Sequence, residues 1–139
     1  MVTVTSTACR MTVSLLVVLA VAMAHVLRIG SHLHGAAYRL YYAYASDVLI
    51  PIAAYFLLCV NDARVPWLRS RRVKGIVVLA MASTAEILQG CGIPALGSTF
   101  DPIDFLMYGA GVTIAMALDR FAFSIVCASG REPAGRSDA

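Results

Sequence analysis

The chain predicts an all-α integral membrane protein, a four-helix bundle with both termini on the cytoplasmic side. Three observations predict it. Of 139 residues, 60% are hydrophobic and 14% charged, against roughly 25% charged in an ordinary globular domain. The apolar residues gather into four runs, about 11–27, 41–60, 75–91 and 102–120, each close to the ~20 residues a helix needs to cross a hydrocarbon layer of ~30 Å. The basic residues are unequally shared among the connections: with four spans, nine lie on the side of the termini and two, Arg28 and Arg39, on the other. Short loops rich in Lys and Arg stay in the cytoplasm, which sets the orientation. Residues 1–127 thus read as one membrane domain, and 128–139, rich in Gly, Arg, Ser, Asp and Pro, as a disordered cytoplasmic tail.

The first run, 11–27, is almost unbroken. Arg10, the apolar stretch and Ala22-Met23-Ala24 also match a secretory signal with an A-x-A cleavage site. A retained helix is the expectation, because the apolar residues continue past that site to Leu27 and the rest of the chain is itself membrane-like. Residues 28–44 read as a polar and aromatic connector, its tyrosines (Tyr38, Tyr41, Tyr42 and Tyr44) suiting the headgroup level, where a ring is apolar and a hydroxyl wet. His32-x-His34 lacks the further Cys or His that a metal site needs, so a wet loop is expected there.

The second run, 41–60, contains Asp47 and Pro51. Proline removes a backbone donor, so the carbonyl of Asp47 loses its helical partner and the helix should kink or open there. Arg64, Arg69, Arg71, Arg72 and Lys74 crowd the next connector; they carry the topology signal and suit contact with anionic headgroups. The third run starts near Gly75 and halts at Gly92 and Pro94. On it Ser83, Glu86 and Gln89 are three residues apart and share a face. Glu86 lies roughly 17 Å from the run's start at 1.5 Å per residue, close to mid-membrane, where a carboxylate is costly unless paired or wet.

Asp101-Pro102-Ile103-Asp104 opens the fourth run. Asp101 suits a helix cap, Pro102 the first turn, and Asp104 the positive end of the helix dipole. Gly109, Thr113 and Ala117 make one small-residue stripe and Gly111 with Ala115 a second, of the kind that lets helix backbones approach. Short connections bring the polar groups of the outer side to one end: His25, Arg28, Arg39, Asp47, Glu86, Gln89, Asp101 and Asp104, with His25 and Arg28 on one face of the first helix at i, i+3 spacing. Mutual neutralisation of these charges is one reading, and a small cavity that takes a cation or a polar lipid headgroup is the other.

Other chemistry finds little support. Cys9, Cys59, Cys91 and Cys127 are far apart, with no CxxC pair, and read as small buried apolar residues rather than metal ligands or disulfides. A net charge of +3 with basic residues unevenly spread makes nucleic acid an unsuitable partner. No zinc-protease, nucleophile-elbow or phosphate-loop motif occurs, and no cofactor is indicated.

Glu86, Gln89, Asp101, Asp104 and Gly111 together resemble the pattern of the VanZ-like family of small membrane proteins: a Glu and Gln in one helix, a loop, then Asp-x-x-Asp and a glycine-bearing last helix. Arg39, followed by Asp47 and a Pro-containing second span, is similar more loosely. The resemblance is to a divergent member, since Leu96-Gly97-Ser98-Thr99 stands where the family pattern usually has a basic residue, and Val48-Leu49 where it often has Lys and His. It implies a cell-envelope membrane protein. The expected function is an accessory or binding protein at the outer leaflet, with an envelope lipid or lipid-linked precursor as partner. The alternatives are a membrane-embedded enzyme on a lipid-linked substrate, with Glu86 and Asp104 as acid-base pair, and a small transporter or ion-conducting subunit. The last requires a homo-oligomer, because four short helices enclose little pore.

Overall fold

A computed structural model of the chain describes residues 4–93 and 101–126, with side chains over 7–93 and 101–121. The tail expected over 128–139 and the loop residues 96–99 lie outside the described residues. Within them the chain is entirely helical: α1 Val4–Val26, α2 Gly35–Val60, α3 Arg71–Gly90 and α4 Pro102–Val126, with single 3-10 turns at Ile29–His32 and Pro66–Arg69. Three helices, α1 from Thr7, α2 and α3, are long and apolar enough to cross a membrane. α4 is of similar length and carries Asp104, Asp119 and Arg120.

α2 is the central element, packed on α1 and α4 and more lightly on α3, which leans chiefly on α4. The core between them is small: Ile52, Tyr55, Phe56 and Cys59 of α2, Val78 of α3, Val112 and Ala115 of α4. Outside it lies a broad apolar exterior that includes Leu16, Leu19, Leu40, Ile76, Met81 and Leu106. A water-soluble monomer rarely shows so continuous an apolar surface, whereas lipid tails cover it without penalty.

The α2–α4 contact depends on one glycine. A Cβ at Gly111 would collide with the backbone carbonyl of Val48 and lie 3.2 Å from the Pro51 side chain. Only glycine lets α4 approach α2 this closely. Pro51 lies in the same contact. The sequence predicts a kinked or opened helix there, yet α2 stays helical from end to end, with Pro51 buried.

Four other expectations are corrected. The polar connector is shorter than 28–44, because α2 begins at Gly35. The tyrosines stand on the helix, where Tyr38 and Tyr42 stack at i, i+4 with ring centroids 4.6 Å apart. The ring of Tyr41 sits against Gly30 in the preceding turn, a place with no room for a side chain. Arg28 does not share a helical face with His25: α1 ends at Val26, and Arg28 adopts a left-handed φ of 49° that turns the chain back. α3 begins at Arg71 rather than near Gly75, since Ser70 caps it by accepting from the Val73 N–H at 3.5 Å and Lys74 finds partners in the interior. Of the two small-residue stripes, only Gly111 and Ala115 are buried; Thr113 and Ala117 face outward, and Gly109 has open space about its Cα.

Candidate functional site

α3 presents one face to the bundle, and the residues at that face are Lys74, Val78, Ala82 and Glu86, each four apart. Lys74 and Glu86 are 0% and 1% exposed. The helix therefore buries a cation at one end and a carboxylate at the other, roughly 18 Å apart at 1.5 Å per residue.

Glu86 is held by α4. Its Oε1 accepts the backbone N–H of Asp101 at 2.7 Å, and its Oε2 accepts the hydroxyl of Tyr108 at 3.2 Å. Two hydrogen bonds to a buried carboxylate offset much of its desolvation. Asp101 in turn caps α4, its Oδ1 accepting the N–H of Ile103 at 2.9 Å, with Pro102 between them in the first turn. One side chain of α3 thus anchors the start of α4, and the cap residue passes that anchoring on to the helix.

Asp47 on α2 and Asp104 on α4 join this end. Asp47 feels the negative fields of Glu86 and Asp101, and Asp104 those of Asp47, Glu86 and Asp101. Four carboxylates, from α2, α3, α4 and the cap of α4, therefore lie within electrostatic reach of one another. Gln89 lies half-buried one turn beyond Glu86 on α3. His25 reaches in from α1: its Nδ1–H donates to the Val21 carbonyl at 3.1 Å, leaving Nε2 to accept the Ser46 hydroxyl at 3.3 Å, one residue before Asp47. The two expected cations do not join. Arg28 and Arg39 are exposed, and among the described residues no ion pair connects either with a carboxylate. The expected mutual neutralisation is absent from this end of the described structure. Among the described residues, no group of three His, Cys, Asp or Glu is arranged to hold a metal ion.

The ion pairs lie at the opposite end, where the sequence offered a topology signal and a surface for anionic headgroups. Asp119, 0% exposed on α4, accepts the hydroxyl of Tyr55 at 2.7 Å and lies 3.3 Å from Arg71 Nε and 3.7 Å from Lys74 Nζ. Lys74 Nζ also donates to both oxygens of Asp62 at 3.2 Å and to Cys59 Sγ at 3.0 Å, and sits 5.1 Å from the centroid of the Tyr55 ring. Arg10 of α1 closes the set, its Nη2 2.6 Å from Asp62 and 3.8 Å from Asp119. All four helices and the α2–α3 connection meet in this network. A signal for it was present: Lys74 stands three helical repeats of four before Glu86, and Asp119 extends the Gly111, Ala115 series by one more step of four.

No protein-family model matches the chain, and the comparisons with curated proteins and solved structures found no match. The reading of function therefore rests on the two polar ends and the apolar exterior between them.

Proposed function

We propose that the protein is a four-span integral membrane protein of VanZ-like type, with both termini cytoplasmic, that binds the polar head of an envelope lipid or lipid-linked precursor at its acidic end. The observation that carries this reading is that Asp47, Glu86, Asp101 and Asp104 lie within electrostatic reach of one another with no paired cation among the described residues. Carboxylates so placed attract a partner that brings ammonium or hydroxyl donors.

Roles within the site follow from the hydrogen bonds. Glu86 is engaged on both oxygens and fixes the geometry, and Asp101 is engaged as a cap. Asp47 and Asp104 are the groups left to meet a headgroup. This division favours binding over acid-base catalysis, because the acid-base pair of the enzyme reading would need Glu86 itself to exchange protons with a substrate.

The test is binding of an amine-bearing, lipid-linked envelope precursor to purified protein in nanodiscs. Asp104→Asn and Asp47→Asn should each weaken it about tenfold, the scale of one charge-assisted hydrogen bond. Absence of binding by the unaltered protein, or binding by both variants as tight as that of the unaltered protein, would overturn the proposal. Turnover of that precursor, abolished by Glu86→Gln, would move the reading to the enzyme.

A further inference from the structure

The arginine-rich end carries a second feature that the acidic site does not use. A cleft of about 750 Å³ opens between the start of α3 and the last turns of α4, and five arginines line it: Arg10, Arg69, Arg71, Arg72 and Arg120. The network beside it consumes only part of this charge. Arg10, Arg71 and Lys74 share the two carboxylates of Asp62 and Asp119. Arg69, Arg72 and Arg120 meet no carboxylate among the described residues. Ser70, the cap of α3, also lines the cleft.

The remaining lining decides the kind of anion. Met116, Ala117 and Phe121 of α4 form an apolar side to the same cleft, and Phe121 is largely exposed. Guanidinium groups against a thioether and a ring suit a molecule that is phosphate at one end and hydrocarbon at the other. A free phosphate would use the arginines and leave the apolar side wet.

We infer that this cleft binds the phosphate headgroup of an anionic membrane phospholipid, with the phosphate among Arg69, Arg72 and Arg120 and an acyl chain along Met116 and Phe121. The inference shares the membrane setting of the proposed function and none of its residues, so the two fail separately.

The experiment uses the full chain in phosphatidylcholine nanodiscs with a minor fraction of phosphatidylglycerol. Lipid retention is read by native mass spectrometry. Quenching of Trp67, the sole tryptophan and a neighbour of Arg69, by brominated phosphatidylglycerol gives a second readout. The unaltered protein should prefer phosphatidylglycerol about tenfold or more, as expected from surface basic residues acting together. The double variant Arg72→Gln/Arg120→Gln should lose that preference, and Arg72→Lys/Arg120→Lys should restore most of it, which separates lost binding from lost folding. Arg64→Gln removes a charge at the same end but outside this cleft and should keep the preference. An unchanged preference in the double glutamine variant would overturn the inference, as would an equal loss in Arg64→Gln. Displacement of the lipid by inorganic phosphate, but not by chloride at equal ionic strength, would overturn the lipid source in favour of a free phosphate.

Discussion

Asp119 shows what a single residue can hide in a membrane-like sequence. It stands beside Arg120 at the close of the fourth apolar run, yet it is fully buried, hydrogen-bonded to Tyr55 and flanked by Lys74 and Arg71. Removing one partner of a buried ion pair strands the other in a low-dielectric place. Lys74→Met should therefore destabilise the protein by about 3–5 kcal/mol, measured as reversible unfolding in detergent. Tyr55→Phe should cost less, about 1.5–3 kcal/mol, the value of a hydrogen bond to a charged acceptor. If Lys74→Met unfolds at the same denaturant concentration as the unaltered chain, the network is not a stabilising one. Glu86 presents the reverse case. Its burial was legible because a carboxylate deep in an apolar run must find a partner. Its partners were not, since a backbone N–H and a tyrosine hydroxyl leave no charge pattern in a sequence. Arg28 and Arg39 were misplaced for a related reason: opposite charges suggest a pair, but long side chains at a helix end reach water more easily than they reach a buried carboxylate.

At the scale of elements, four apolar runs mark four helices because a backbone out of water must satisfy itself. Three starts moved outward, α1 from 11 to Val4, α2 from 41 to Gly35 and α3 from 75 to Arg71, and α4 runs on from 120 to Val126, while the other ends stay within one residue. Ends are set by side-chain partners, such as Ser70 at the start of α3 and Asp101 at the start of α4, rather than by where hydropathy falls. Helix contacts were half legible. Two stripes of small residues on α4 promise packing equally well, and only the neighbour decides between them; here Gly111 meets the turn at Pro51, while a Cβ at Gly109 would meet none of the described residues within 4 Å. A pair of matched substitutions tests this. Gly111→Ala should destabilise by about 1–3 kcal/mol, the usual cost of overpacking a tight contact. Gly109→Ala should be neutral or stabilising by up to about 1 kcal/mol through helix propensity. Equal effects would show that α2 and α4 do not meet at Gly111. A strong loss from Gly109→Ala alone would mean that the outward stripe is covered by another chain.

The whole molecule has an acidic end, a basic end and an apolar waist. In a chain without other cysteines, Ser98→Cys should react with an impermeant thiol reagent applied outside intact cells, and Ser70→Cys only after permeabilisation. The opposite pattern would invert the orientation drawn from the basic connections. α3 gives this molecule a further mechanical property. It is fastened at both extremities, by Lys74 to Asp62 and Asp119 and by Glu86 to the start of α4. A helix gripped at one end can slide or pivot against its neighbours when the bilayer thickens or thins; one gripped at both cannot. Mismatch between protein and membrane must then be absorbed by tilting of the whole bundle or by deformation of the surrounding lipid. The distance between the acidic and basic ends would stay constant from one bilayer to another, as in a rigid strut, while their depths beneath the two surfaces change.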